Sequence, residues 1–240
     1  MTQAILTDIE GTLSSRAFIR DELFPYAARR LPGFVREHSR EPGVKRLLAD
    51  VRAYAGRSLN DEALIERMLA WMEVDQKITP LQALQGLVWE EGFQRGDFAG
   101  HVYGDAVECL RGWHDQGFAL YVFSSGSVHS QQMLLGHSQA GDLRPLFTEH
   151  FDTRMGGKKQ IAAYKVIAER IGVPPGQILF LSDTVDELDA AGSAGLRTTC
   201  IRRAGDMRDA GGHPLAADFH GVSVNGDPSI RPVEANHAGD

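Results

Sequence analysis

Five short apolar runs constrain this chain more than any other feature: Ala4 to Ile9, Ala119 to Ser124, His150 to Thr153, Ile178 to Ser182 and Thr198 to Arg202. Most are continuously apolar rather than alternating, the pattern of parallel strands covered on both faces. Helical patterns separate them: Asp105 to Gln116, Ser127 to Leu135, Lys159 to Ile171 and Val185 to Ala194. Each is followed by a glycine (Gly117, Gly136, Gly172, Gly195), where a helix end favours a left-handed residue. Such a βαβ series predicts an α/β fold around a parallel sheet.

The rhythm breaks once. From about Ser15 to Tyr103 only helical patterning occurs, as in "DEALIERMLAWMEVDQ", so an all-helical unit is expected at 15–103, inserted after the first strand. Residues 1–14 and 104–224 then form the α/β core. The segment 225–240 is polar, rich in Gly, Pro and Asp and without periodicity, and reads as a loose tail.

The strand ends carry the reactive side chains. The first delivers Asp8 and Glu10 in "DIEGT"; "YVFSSGSV" delivers Ser124 and Ser125; "RMGGKKQ" presents Lys158 and Lys159; and "ILFLSDTVDELD" ends in Asp183. Open parallel sheets bind ligands beyond the carboxyl ends of their strands, so these groups are expected to converge. A buried carboxylate needs a compensating metal, proton or cation. Two carboxylates with water and phosphate oxygens make a hard site suited to Mg²⁺, while hydroxyls, loop amides and a lysine supply donors for phosphate. Blander roles stand beside these: Ser124 and Ser125 as turn residues, Asp183 as a helix cap, and Asp186 and Asp189 as first-turn acids. The Gly-Gly-Lys-Lys turn does not separate Lys158 from Lys159. His129 reads as an exposed helix residue, and Trp71, Trp89 and Trp113 as core.

Charge and cysteine content narrow the partners. With 25 Lys and Arg against 32 Asp and Glu, the net charge of −7 offers no basic field for nucleic acid or an anionic membrane. Two cysteines, Cys109 and Cys200, without a clustered motif argue against a disulfide scaffold or structural zinc. No spanning segment or signal peptide is apparent, so a soluble cytoplasmic protein, expected to be a monomer, with a small-molecule partner is the reading.

The four strand-end segments resemble the motifs of the haloacid dehalogenase-like hydrolases, implying a Rossmann-like core with an inserted helical cap. Glutamate replaces the second aspartate of the usual D-x-D-G-T. Together with "LFPYA", "LQGLVWEEGF", "HVYGD" and "FDTRMGGK", this resembles the enolase-phosphatases of methionine salvage from about residue 4 to 205. The resemblance implies one Mg²⁺ per subunit, held by Asp8, Glu10 through its backbone carbonyl, and Asp183. It makes Asp8 the nucleophile and Glu10 the proton carrier, with Ser124, Ser125 and Lys158 on the phosphate ester. Glu187 is a candidate to orient metal-bound water. The implied substrate is 2,3-diketo-5-methylthiopentyl 1-phosphate, enolised and then dephosphorylated to the acireductone. Phe18, Phe24 and Tyr26 are candidates to face its methylthio chain.

Overall fold

The computed structural model describes residues 1–56, 59–74, 76 and 78–225; all but the first residue of the expected tail therefore lies outside the described residues. Six strands form one parallel sheet: β1 (Ala4–Thr7), β2 (Ala119–Phe123), β3 (Glu149–Phe151), β4 (Ile178–Ser182), β5 (Arg197–Ile201) and β6 (Leu215–Ala216), in the order β3-β2-β1-β4-β5-β6. The short β6 has no pattern long enough to read from sequence. Central β1 pairs on both sides, Ala4 with Ala119 and with Ile178. Its four residues are all buried, and the one polar member, Thr7, satisfies its hydroxyl by donating to the Asp8 carbonyl at 2.9 Å. The strand order reverses between β1 and β4, and such switch points form ligand crevices at the carboxyl ends.

The helices are α1 (Arg16–Phe18), a π-helical turn Ile19–Leu23, α2 (Phe24–His38), α3 (Pro42–Ala55), α4 (Asp61–Glu73), α5 (Thr79–Arg95), α6 (Gly104–Asp115), α7 (Val128–Gly136), α8 (Ile161–Ile171) and α9 (Val185–Ser193). The three glycines Gly117, Gly172 and Gly195 lie at positive φ after α6, α8 and α9. Gly136 departs from that expectation: it is the last residue of α7, and His137 caps it. The core of the sheet layer is Leu6, Phe123, Phe180, Tyr164 and Ile167, all fully buried. No helix among the described residues is long and apolar enough to cross a membrane.

The chain forms two compact units: 1–15, 102–126 and the part from 142 onward carry the sheet, and 16–101 with 127–141 are helical. The helical unit thus contains α7, which the sequence reading assigns to the sheet core because it lies between β2 and β3. Contacts inside the unit explain the difference. His129 Nε2 lies 2.8 Å from Glu90 Oε2, His137 stacks on Phe93, and the Gly100 N–H donates to the His137 carbonyl at 2.8 Å. Leu31, Val35, Leu48, Leu64, Met68 and Leu84 fill its interior. Tyr26 is buried there, its hydroxyl donating to Asp97 at 2.6 Å, Phe18 is also buried, and Phe24 packs edge-on against Trp89. Trp113 is buried against Phe219 in the sheet unit, and Trp71 and Trp89 are half-buried.

Gly100 marks the tightest approach in the helical unit, because a Cβ there would sit 2.2 Å from the Leu134 carbonyl oxygen. Backbone cannot swing aside as a side chain does. Gly100→Ala is expected to lower stability by about 1–3 kcal/mol, read as a lower urea midpoint.

Candidate active site

β1 and β4 bring two acids to one end of the sheet. The Asp8 N–H donates to the Leu181 carbonyl at 2.9 Å, extending the ladder one residue past Thr7, and Asp183 follows β4 on the neighbouring strand. Both are nearly inaccessible, Asp8 at 4% and Asp183 at 2% exposure. They are close enough for the Asp183 charge to hinder ionisation of Asp8.

Lys158 supplies the positive charge between buried carboxylates. Its Nζ lies 2.5 Å from Asp8 Oδ1 and 2.7 Å from Glu187 Oε2. The Tyr164 hydroxyl donates to the Lys158 carbonyl at 2.6 Å, fixing the loop ahead of α8 that presents the lysine. Lys159, by contrast, is exposed and pairs with Asp186 at 2.7 Å. Glu187 sits on the first turn of α9, where Ser182 Oγ donates to Oε2 at 3.0 Å. Burial pushes the Asp8 carboxyl up, Lys158 pulls it down, and the Asp183 charge adds to the rise; the net shift is upward. Glu187 is likewise raised by burial, against the pull of Lys158 and with a further push from Asp8. Burial alone would lower the Lys158 ammonium, but Asp8 and Glu187 together outweigh it and hold its pKa above the usual value.

Asp183 is set by arginines that the sequence reading did not single out. Arg208 Nη2 lies 3.0 Å from Asp183 Oδ2, and the buried Arg202 guanidinium donates to the Asp183 carbonyl. Arg202 Nε also donates to the Arg208 carbonyl at 3.1 Å, tying the loop after β5 to the end of β4. Arg202 closes the fifth apolar run, a strand-end position that was the signal available for it, whereas Arg208 lies in an irregular loop with no periodic or motif signal. Thr12, inside "DIEGT", carried such a signal: its hydroxyl donates to Asp8 Oδ2 at 3.4 Å.

The remaining candidates divide by exposure. Ser124 is buried, and its Oγ accepts the Gly126 N–H at 3.2 Å, the turn its bland reading describes. Ser125 is exposed one residue further on. Glu10 is exposed, within the turn that the Thr12 and Ser14 amides close on the Ile9 carbonyl at 3.2 and 2.8 Å. Asp8, Lys158, Asp183 and Glu187 therefore form one buried cluster, with Ser124 at the next strand end and Ser125 and Glu10 at the surface.

Residues 2–195 match the haloacid dehalogenase-like hydrolase family. The chain is 62% identical over 224 residues to "Enolase-phosphatase E1" of Thioalkalivibrio sulfidiphilus, covering 93% of this chain and all of that one. It is 55% identical to the protein of the same name in Methylococcus capsulatus, covering 92% and 98%. Among solved structures, the Unknown transcript 4 protein of Saccharomyces cerevisiae superimposes with a TM-score of 0.77 at 30% identity, covering 91% of this chain and 99% of that one. CbbY from Rhodobacter sphaeroides, at a TM-score of 0.58 and 18% identity over 91% and 95% of the two chains, shares the fold.

Proposed function

Because the chain belongs to the haloacid dehalogenase-like hydrolases and, within them, to the enolase-phosphatases, we propose that the Asp8 cluster enolises and dephosphorylates 2,3-diketo-5-methylthiopentyl 1-phosphate in methionine salvage. The observation that carries the assignment of roles is the Lys158 contact with Asp8: a buried carboxylate held by a buried ammonium at a strand end is an oriented nucleophile beside a phosphate-binding charge.

The residues fit a magnesium ion. Asp8 and Asp183 are buried carboxylates that repel one another, a repulsion a divalent cation relieves, and the donors are all oxygen. Among the described residues no group of three or more His, Cys, Asp and Glu side chains is disposed to hold a metal. The set we assign is accordingly the Asp8 and Asp183 carboxylates and the Glu10 carbonyl, completed by water and substrate oxygens, with one ion per subunit. When bound, Mg²⁺ supplies charge stabilisation for the phosphoryl group and the enediolate.

In the enolase half, a proton leaves the carbon bearing the phosphate ester and a proton is delivered to the neighbouring carbonyl oxygen. Glu10, exposed and one methylene longer than aspartate, carries it. In the phosphatase half, an Asp8 oxygen bonds to phosphorus as the ester oxygen departs with a proton from Glu10. Water, deprotonated by Glu10, then attacks the aspartyl-phosphate, releasing phosphate and restoring the Asp8 carboxylate. Lys158 offsets the charge on Asp8 and the phosphoryl oxygens, and Ser124 and Ser125 donate to the latter.

The test is an absorbance assay for acireductone and a parallel phosphate assay on the diketo phosphate, with and without Mg²⁺. Both products are expected from the wild type only with the cation. Glu10→Gln is expected to lose both, on the order of 10²-fold or more, with unfolding unchanged because the site is exposed. Full enolisation without hydrolysis in that variant would remove Glu10 from the first half-reaction. Phosphate without acireductone from the wild type would overturn the substrate assignment.

A further inference from the structure

Arg203, two residues past β5, occupies a position that nothing in the hydrolytic scheme uses. Its Nη1 donates to Asp105 Oδ2 at 2.7 Å and its Nη2 to the Thr12 carbonyl at 2.7 Å. The guanidinium carbon stands 3.9 Å from the centroid of the Tyr103 ring and 5.4 Å from that of Phe219. The side chain is 14% exposed and that of Asp105 16%, so this ion pair is shielded from water and keeps more of its strength than a surface pair. Asp105 is fixed in turn, since its Oδ2 also accepts the Phe219 N–H at 2.9 Å.

The partners of Arg203 share one topological property. Thr12 lies just before the chain leaves the sheet unit after Ser15, and Tyr103 and Asp105 lie just after it returns at Val102. The two strands of this crossing are joined directly as well, the Tyr103 N–H donating to the Leu13 carbonyl at 2.9 Å. Thr12 faces both ways: its carbonyl accepts from Arg203, and its hydroxyl donates to Asp8 Oδ2. One residue therefore separates a guanidinium from the nucleophile.

We propose that Arg203 is a positioning residue for the reaction, a clasp that locks the departing and returning chain together and thereby sets the Thr12 hydroxyl and, through it, the orientation of the Asp8 carboxylate. This rests on the assignment of Asp8 as nucleophile. Arginine is needed rather than lysine, because only a planar fork reaches a carboxylate and a carbonyl on divergent bonds while stacking on an aromatic ring. Thr12 itself is fully buried, so when the clasp opens its turn has slack without gaining any alternative hydrogen-bond partner from solvent. Displacement of a reacting group by an ångström or so reduces turnover by about 10²-fold, whereas phosphate binding through Ser124, Ser125 and Lys158 is untouched.

The experiment measures kcat and KM for phosphate release in Arg203→Lys, Arg203→Gln and Asp105→Asn, with amide hydrogen exchange over residues 9–14 and the thermal midpoint of each. Arg203→Lys, the variant most certain to fold, is expected to lower kcat about 10- to 100-fold with KM within about threefold, and to speed exchange at Thr12 and Leu13. Asp105→Asn is expected to give the same split more weakly. Wild-type kcat in Arg203→Lys, or kcat falling only in proportion to the folded fraction with exchange in 9–14 unchanged, overturns the proposal. Asp8→Asn run alongside separates the two readings: if it retains activity, the nucleophile assignment fails, and if it is inactive while Arg203→Lys turns over normally, only the clasp fails.

Discussion

Asp8→Asn is expected to lower phosphate release by about 10⁴-fold or more while the protein stays folded. The amide has the shape of the carboxylate and none of its nucleophilicity. Stability is expected to hold or rise in the absence of divalent cation, for a reason the burial supplies. The native Asp8 carboxyl is raised above its ordinary 3.8, so the folded protein binds that proton more tightly than the unfolded chain does. Ionised Asp8 thus contributes a loss of stability that develops as pH rises from about 3.9 through its native value, and asparagine removes it. Lys158 keeps a partner in Glu187 at 2.7 Å, so no unpaired ammonium is left behind. Differential scanning fluorimetry beside the phosphate assay checks both halves; an Asp8→Asn protein that turned over at more than about a hundredth of the wild-type rate would exclude the covalent route.

Lys158→Met is the second large effect, and here stability falls with activity. Removing the ammonium leaves Asp8 and Glu187 buried together without their cation, a change on the order of 3–5 kcal/mol near neutral pH. The pH dependence identifies the cause. In the wild type the Lys158 pKa is raised above its usual 10.5, so its stabilisation is complete below that value and is lost only as pH climbs through the higher native one. In Lys158→Met the two carboxyls are raised further, and the unfavourable ionisation begins as pH rises above about 4. Urea midpoints between pH 4 and 9 should therefore coincide most closely at the acid end and separate steadily upward. Parallel curves would mean that the methionine merely packs badly. Turnover is expected to fall by about 10²- to 10³-fold, the usual loss when one charge-stabilising donor is removed from a reacting anion.

Much of the cluster was legible because its members sit at strand ends, where an apolar run stops and a polar residue must find a partner. Asp8 after Thr7 and Asp183 after Ser182 are of this kind, and all five apolar runs lie within two residues of an observed strand at each end, with β4 matching outright. Lys158 and Lys159 could not be told apart, since both follow two glycines; only the path of the loop, tied by Tyr164 to the Lys158 carbonyl, aims one inward and the other at Asp186. Arg203 and Arg208 were silent for a different reason. They act across long sequence separations from a loop with no period, and an arginine in such a loop has the same local appearance whether solvated or buried. The placement of α7 with the helical unit is equally non-local, depending on Glu90, Phe93 and Gly100 rather than on α7 itself.

The central place of β1 carries a kinetic consequence. Its first partner, β2, arrives only after the whole helical excursion, and its second, β4, later still, so Asp8 and Asp183 meet through the longest-range pairing that β1 makes. Loop closure over such spans makes pairing slow. During synthesis the helical unit and β2 emerge before β4, and a chain that stops short of β4 lacks Asp183 and Glu187, two of the three acids in the cluster. On the proposed roles of Asp8 and Asp183, hydrolytic competence arises late in folding, after the strand that leads into Asp183 has docked.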